Sequence, residues 1–194
     1  MRAPWVIVCL WGAFALGWLI FAQFNKKANR SAPGLRRIWQ LRVAILIAAL
    51  VLLWYRRHGG ARGLGSAGHL LALHGGAAVQ WLGVGLSLIG IGFAFWARVH
   101  IGRNWGIPMS LRQDHELVTS GPYAYVRHPI YTGIMLAQIG SALAVGVVWL
   151  VAFAIAFVYF VFSARTEEKM MVAQFPAAYP AYRHRTKMLI PFVF

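Results

Sequence analysis

Long runs of apolar residues limit the folds that are open to this sequence. Residues 130–162 form a run of 33 positions without one charged side chain, and shorter apolar runs occupy residues 4–24, 38–55 and 77–97. A membrane-spanning helix needs about 20 apolar residues, so each shorter run predicts one span. The run at 130–162 is too long for one helix at about 1.5 Å per residue. It predicts two spans joined by a tight turn near Gly146.

The sequence therefore predicts an all-α integral membrane protein with about five transmembrane helices, the last two forming a helical hairpin. Of its 194 residues, 60% are hydrophobic and 12% are charged, which is more apolar surface than one soluble core can bury. No internal repeat or low-complexity linker divides the chain. We expect a single membrane domain over residues 1–194, with three N-terminal spans in 1–97 and the helical hairpin with its polar flanking segments in 98–194.

The basic residues are distributed unevenly between the ends of the predicted spans. With the N-terminus outside, the inner segments 25–42, 97–127 and 163–194 hold six, four and five Lys or Arg, and the outer segments hold four. This asymmetry follows the positive-inside rule and predicts a cytoplasmic C-terminus. The net charge of +15 then indicates topology and attraction to a bilayer with anionic lipid, not nucleic-acid binding. A composition rich in Ala, Gly and Arg favours a bacterial inner membrane.

The four acidic residues occur in only two segments, both expected on the cytoplasmic face: Asp114, Glu116, Glu167 and Glu168. We expect Glu167 and Glu168 to follow directly on the fifth helix, where carboxylates oppose the helix dipole. Two interpretations remain open. The pair is neutralised by basic neighbours such as Arg165 and Lys169, or it meets a cationic ligand.

Residues 117–133, LVTSGPYAYVRHPIYTG, are unusually polar for this chain. Gly121-Pro122 predicts a turn, and Pro129 is expected in the first turn of the fourth helix, with His128 at its entrance. Free N–H groups at a helix entrance can hold an anion. Tyr131 projects to the same side as His128, three positions earlier. The alternative interpretation is an aromatic belt at the membrane interface.

Two other features of the sequence have simpler interpretations. Glycines in the third span predict close helix packing: Gly83, Gly85, Gly90 and Gly92. Cys9 is the only cysteine, and three histidines lie in a Gly-rich loop without regular spacing: His58, His69 and His74. We expect no metal site there.

Several motifs recur in order between residues 98 and 194: H-E-L-V at 115–118, G-P-Y at 121–123, R-H-P-I-Y-T-G at 127–133, R-T-E-E at 165–168, Y-P-A-Y at 179–182 and L-I-P-F at 189–192. In these motifs the chain resembles the isoprenylcysteine carboxyl methyltransferase family and its relatives among the phospholipid methyltransferases. The first three spans are similar to that family only in being membrane spans.

The resemblance implies that residues 98–194 form a cytoplasmic, cofactor-binding half that binds S-adenosylmethionine. It also implies that a lipophilic substrate arrives laterally from the bilayer. It implies these cofactor contacts: His115, Glu116, Leu117, Val118, Tyr123, His128, Pro129, Ile130, Tyr131 and Glu167. Arg165 would be the catalytic residue on the substrate side. A carboxylate acceptor needs no general base, whereas an amine or a thiol must lose a proton, for which Glu168 or His128 is the candidate acceptor.

The function that the resemblance implies first is carboxyl O-methylation of an isoprenylcysteine-type acceptor. N-methylation of a phospholipid or another amine, and S-methylation of a small thiol, are the alternatives. A membrane reductase using NADPH also remains open, because sterol reductases share the His-Pro-x-Tyr element. A non-catalytic membrane scaffold is the remaining class, although a scaffold has no need for acidic residues gathered beside that element.

Overall fold

The computed structural model describes residues 3–22, 28–31, 76–105, 110–112 and 116–194. These contain the helices α1 (Ala3–Ala22), α2 (Ala77–Ile101), α3 (Pro129–Val145), α4 (Val148–Gln174) and α5 (Ala178–Arg185). Strands β1 (Ala28–Ser31) and β2 (Ser110–Arg112) pair antiparallel, and short 3-10 helices cover Gly102–Asn104 and Gly121–Ala124. The span predicted at 38–55 lies outside the described residues.

Three of the described helices are long and apolar enough to cross a membrane, over Ala3–Phe21, Ala77–Ile101 and Trp149–Gln174. Helix α3 is apolar but shorter, with 17 residues. The predicted helical membrane architecture is confirmed. The hairpin is confirmed as well, because α3 and α4 are separated only by Gly146 and Val147. Gly146 has φ 141°, a conformation that glycine adopts without a steric penalty.

The expectation that Glu167 and Glu168 follow the helix is wrong. Helix α4 continues to Gln174, so both carboxylates lie inside its last turns. The apolar run ends near Phe162, but the following residues are mostly good helix formers such as Ala, Glu, Lys and Met. The end of the run therefore marks where the helix leaves apolar surroundings and not where it stops.

Helices α2 and α3 pack closely through four glycines: Gly83, Gly90, Gly133 and Gly140. A Cβ atom at Gly90 would lie 2.5 Å from the backbone nitrogen of Ala137. Small residues let membrane helices approach in this way. Among the residues that the structure describes, no atom lies within 4 Å of such a Cβ position at Gly85 or Gly92, so the packing prediction is confirmed for two of its four glycines.

Polar side chains tie α1, α2 and α3 together in the middle of the bundle. Ser87 donates to the carbonyl oxygen of Ala137 at 3.0 Å, and its hydroxyl lies 3.4 Å from that of Ser141. The indole N–H of Trp11 donates to Ser141 Oγ at 3.0 Å. Such interhelical hydrogen bonds stabilise helix contacts where no water is available.

Arg98 links the adjacent ends of α1 and α2. Its guanidinium donates to the carbonyl oxygens of Gly102 at 2.8 Å and Phe21 at 2.9 Å. It also lies 4.7 Å from the centre of the Trp105 ring, a cation–π distance. This buried arginine therefore satisfies carbonyl groups that a helix end leaves without partners.

Residues 187–189 lie alongside the chain that leads into α3. The N–H of Arg127 donates to the carbonyl of Lys187 at 2.8 Å, and the N–H of His128 donates to that of Met188 at 3.1 Å. The Thr132 hydroxyl donates to the carbonyl of Leu189 at 2.6 Å. These bonds fix the backbone at the start of α3.

Candidate active site

His128 stands at the N-terminal end of α3, as its position before Pro129 predicted. Pro129 occupies the first helical position, and the carbonyl of His128 accepts the N–H of Thr132 at 3.1 Å. Proline is favoured there because its missing N–H would have no helical partner. The His128 ring stacks on Tyr131, with ring centres 5.5 Å apart and planes 4° from parallel. Both side chains therefore point to the same side of α3.

Glu167 of α4 faces this end of α3 and meets three polar groups. Its Oε1 atom accepts the Tyr131 hydroxyl at 2.7 Å and the Ser163 hydroxyl at 3.1 Å. Its Oε2 atom lies 3.4 Å from His128 Nδ1. The Glu167 side chain still keeps 23% of its surface exposed. It is thus oriented by its neighbours and remains accessible to a ligand.

Glu168 is more deeply buried and is paired with guanidinium groups. Arg127 Nε lies 2.6 Å from Glu168 Oε1, and Arg183 Nε lies 3.6 Å from Oε2. Arg127 also donates to the carbonyl oxygens of Arg183 and Thr186. These two hydrogen bonds hold α5 and the segment after it against the site. We refer to the whole set as the carboxylate cluster: Arg127, His128, Tyr131, Ser163, Glu167 and Glu168.

His128 lies between the two carboxylates of the cluster. Its Nε2 atom is 3.5 Å from Glu168 Oε1, within ion-pair range but long for a hydrogen bond. Burial lowers the pKa of His128, but hydrogen bonding and the negative charges of Glu167 and Glu168 outweigh burial and raise it above its usual value. Because a protonated imidazole has two N–H donors, His128 can face both carboxylates at once.

Two buried tyrosines support the approach to α3. The Tyr182 hydroxyl donates to the carbonyl of Tyr123 at 2.6 Å, and the Tyr123 hydroxyl lies 3.5 Å from the carbonyl of Ala97. Burial raises the pKa of Tyr182 to about 12 and also raises the pKa of Tyr123. Both phenols therefore stay neutral and serve as donors that join the 3-10 turn to α2 and α5.

Of the residues predicted from the sequence, the structure brings His128, Tyr131, Glu167 and Glu168 into the carboxylate cluster. Six others lie elsewhere. Pro129 and Ile130 are buried in the first turn of α3. Tyr123 is buried in the hydrophobic core, and Val118 packs against that core. Leu117 is half-buried and Glu116 is exposed. His115 lies outside the described residues.

Arg165 is exposed and does not join the cluster. Two positions along a helix correspond to about 200° of rotation, so Arg165 and Glu167 point to opposite sides of α4. The catalytic role expected for Arg165 stays a prediction.

Sequence reasoning missed two members of the cluster. Ser163 lies one helical turn before Glu167, a spacing that puts both side chains on one face of α4. Arg127 precedes His128 directly, and in the structure its side chain is 9% exposed. An arginine beside a helix entrance is a detectable signal, but nothing local shows that its partner is 41 positions away. Among the residues described, no group of three or more His, Cys, Asp or Glu is arranged to hold a metal ion.

Comparison with known families identifies the group to which this fold and cluster belong. The profile of the family described as phospholipid methyltransferase matches residues 78–178, which is more than half of the chain. The chain belongs to the phospholipid methyltransferase family. The matched region includes α2, α3, α4 and the entire carboxylate cluster.

Individual relatives within and around this family have diverse names. The chain is 32% identical over 120 residues to the cobalt-zinc-cadmium resistance protein CzcN of Cupriavidus metallidurans, covering 58% of this chain and 54% of that protein. It is 33% identical over 101 residues to the protein-S-isoprenylcysteine O-methyltransferase of Schizosaccharomyces pombe, covering 50% of this chain and 43% of that protein. The chain thus spans about half the length of these relatives.

A solved structure has a similar fold. It is a eukaryotic intramembrane Ras methyltransferase, isoprenylcysteine carboxyl methyltransferase, with a TM-score of 0.58 and 23% sequence identity. The similarity covers 79% of this chain and 53% of that one. At this level of identity the likeness shows a shared membrane fold, in agreement with the architecture that the apolar runs predicted.

Proposed function

We propose that this protein is a methyltransferase that uses S-adenosylmethionine and acts at the membrane on a lipophilic acceptor. The observation that carries the proposal is the carboxylate cluster, in which Glu167 is oriented by Tyr131, Ser163 and His128 yet stays partly exposed. The cluster lies within the region that matches the phospholipid methyltransferase family. It also lies at the end of an apolar helix, where a lipophilic molecule and a polar one can meet.

The chemistry of the residues present fits such a cofactor. Glu167 provides a carboxylate for a cationic group, and its remaining exposed surface leaves room for contact. The first N–H groups of α3 suit a carboxylate because they have no helical partners and lie at the positive end of the helix dipole. Val118 is half-buried against the core cluster that contains Tyr123 and offers apolar surface for an adenine ring. Tyr123 itself is buried, and its contact with the cofactor rests on the family resemblance alone. His115, Glu116 and Leu117 complete the contacts that we propose.

When bound, S-adenosylmethionine supplies the methyl group on a positively charged sulfur. The protein would hold the nucleophile in line with the bond that breaks, and it would exclude water from the reacting groups. For a carboxylate acceptor no proton has to move. For an amine or a thiol, the candidate proton acceptors are the carboxylate of Glu168 and the imidazole of His128, the latter only in its neutral form.

An isoprenylcysteine-type carboxylate is the acceptor we propose first. It is supported by the names of the Schizosaccharomyces pombe relative and of the similar solved structure. A phospholipid amine is the alternative, supported by the description of the family. The asymmetry of basic residues supports a cytoplasmic site with the N-terminus outside. The relative from Cupriavidus metallidurans supports a bacterial inner membrane.

Calorimetric titration of the purified protein in nanodiscs with S-adenosylhomocysteine and, separately, with NADPH tests the proposal. Saturable binding of S-adenosylhomocysteine alone is the expected result. Binding of NADPH alone would assign the same residues to a reductase, and binding of neither ligand would contradict an enzyme of either class. Transfer of a radiolabelled methyl group to a prenylcysteine, a phosphatidylethanolamine or a small thiol then identifies the acceptor.

A further inference from the structure

Residues 190–194, which we call the apolar turn, expose a cluster of large hydrophobic side chains. The exposed fractions are 45% for Ile190, 89% for Phe192, 72% for Val193 and 38% for Phe194. Leu189, directly before the turn, is fully buried. Single exposed apolar residues are ordinary on any protein, but a contiguous group of them marks a contact surface.

Backbone hydrogen bonds hold the apolar turn together. The N–H groups of Leu189 and Ile190 both donate to the backbone oxygen of Phe194, and those of Val193 and Phe194 both donate to the carbonyl of Ile190. Pro191 has no N–H to satisfy. Each of these four bonds lowers the cost of moving the backbone of this segment out of water.

The apolar turn lies at the level where α3 begins. Thr132, in the first turn of α3, donates its hydroxyl to the carbonyl of Leu189 at 2.6 Å. Leu189 packs in the same core cluster as Tyr131. Because α3 is an apolar helix that starts at Pro129, its first turn is expected near the boundary between headgroups and acyl chains.

Basic residues precede the apolar turn directly. Arg183, His184, Arg185 and Lys187 are all exposed and lie in the last turn of α5 or just after it. A cationic segment joined to an exposed apolar one is typical of interfacial anchors, since the charges meet anionic headgroups while the apolar side chains enter the acyl boundary. Long basic side chains can reach the headgroups from such a position.

We propose that the apolar turn inserts into the boundary between headgroups and acyl chains of an anionic bilayer, in the leaflet where α3 begins. Arg185 and Lys187 contact the headgroups. The insertion anchors residues 187–189. The carbonyls of Lys187 and Met188 hold the backbone N–H groups of Arg127 and His128, and that of Leu189 accepts the Thr132 hydroxyl. The inference does not depend on methyl transfer or on any cofactor, so it stands or falls separately from the proposed function.

Collision accessibility of a nitroxide label tests the insertion. In a Cys9→Ser background, a label is attached at Val193→Cys and, as references, at Val158→Cys in the apolar part of α4 and Ala181→Cys on α5. Val158 is 70% exposed and Ala181 is exposed, so neither label disturbs a buried contact. The full chain is reconstituted in nanodiscs of phosphatidylcholine, with or without phosphatidylglycerol. Oxygen and a water-soluble nickel complex serve as the two relaxation reagents.

We expect the label at 193 to collide with oxygen in preference to the nickel complex, as the label at 158 does, while the label at 181 shows the opposite preference. Phosphatidylglycerol is expected to increase the depth to which the label at 193 enters the bilayer. The double substitution Arg185→Gln/Lys187→Gln is expected to abolish that increase. Preference for the nickel complex at 193 would overturn the insertion. Protection from both reagents would overturn it as well, since it would indicate a protein contact such as a second copy. Equal depth in both lipid mixtures would overturn the assigned headgroup contact.

Discussion

Tyr131 of α3 and Glu167 of α4 are 36 positions apart in the sequence, and the tyrosine hydroxyl donates a 2.7 Å hydrogen bond to the carboxylate. The bond crosses the interface between the two helices of the hairpin. Ser163 donates to the same oxygen from one turn earlier on α4. The two donors fix one carboxylate oxygen of Glu167, while the other faces His128. A group oriented from both helices keeps its geometry before any ligand arrives.

Glu167→Gln is expected to weaken binding of S-adenosylhomocysteine and S-adenosylmethionine, the latter more strongly because its sulfur is positively charged. Loss of a charged hydrogen-bonding partner costs about 1.5–3 kcal/mol, or about tenfold to a hundredfold in affinity. The amide oxygen can still accept the Tyr131 hydroxyl, so the helices should stay in place. Lys169→Gln, an exposed neighbour on α4, is the matched control and should bind normally. Equal affinities in calorimetry would remove Glu167 from the site.

Stability is expected to depend on pH through His128, which faces Glu167, Glu168, Tyr131 and Arg127. Its pKa is raised in the folded protein despite burial, because hydrogen bonds and the two carboxylate charges favour the protonated form. The stabilisation is therefore fully present below the unfolded pKa of about 6.5 and is lost as pH rises through the raised folded value. The melting temperature of the wild type should exceed that of His128→Asn by more at about pH 6 than at about pH 9. A constant difference would contradict the charged state of His128.

Arg127→Gln is expected to destabilise the protein by about 3 kcal/mol, because removing one partner of a buried ion pair leaves the other without compensation. Arg127 pairs with Glu168 and also binds the carbonyls of Arg183 and Thr186. Arg183→Gln is the matched control. Its side chain is 60% exposed, so the free energy of unfolding should change by less than about 1 kcal/mol. If a denaturant titration gives the same loss of unfolding free energy for both variants, Arg127 has no special structural role.

Gly90→Ala is expected to destabilise the bundle by about 1–3 kcal/mol, since the new Cβ would lie 2.5 Å from the backbone nitrogen of Ala137 on α3. Gly92→Ala, two positions along the same helix, would place its Cβ within 4 Å of no described residue and should be neutral or slightly stabilising. Thermal unfolding in detergent separates the two variants. A milder effect at position 90 than at 92 would contradict the close packing of α2 on α3.

Gly121→Ala is expected to disturb the turn before α3 for two reasons. Gly121 has φ 60°, and an added Cβ would lie 2.6 Å from the ring of His100, which also hydrogen-bonds Ser120 at 2.9 Å. The second substitution His100→Ala removes the clash but not the backbone strain, and so should restore part of the lost stability. Gly102→Ala is the control, because Gly102 has φ 54° and an added Cβ there would meet no atom within 4 Å in the described part of the chain. If the double variant recovers nothing, the contact with His100 is not the cause.

Local features of the sequence predicted much of this fold. The apolar runs predicted α1, α2 and the hairpin of α3 and α4, because the length and hydropathy of a span are properties of one segment. Pro129 predicted the start of α3, since proline fits the first helical turn and not the interior. The end of α4 was mispredicted, because polar helix formers carry the helix beyond its apolar part to Gln174.

The candidate site was predicted in part. His128, Tyr131 and the two glutamates were recognised from their motifs, but their partners Ser163 and Arg127 were not. Motif spacing describes neighbours along the chain, whereas the Arg127–Glu168 pair joins positions 41 apart. The predicted role of Arg165 illustrates the same limit, since a position two residues from Glu167 lies on the opposite side of the helix.

The sequence by itself determined that this protein spans a membrane, where its hairpin turns and which end of α3 holds polar residues. Each of these depends on apolar length or on the backbone preferences of Gly and Pro, which act within a few residues. Only the tertiary structure decided that Gly83 and Gly90, and not Gly85 and Gly92, meet α3. It also decided that His128 lies between two carboxylates. The physical reason is that the rotation of each helix about its own axis decides which side chains lie in the interface between helices. That rotation depends on how both helices pack.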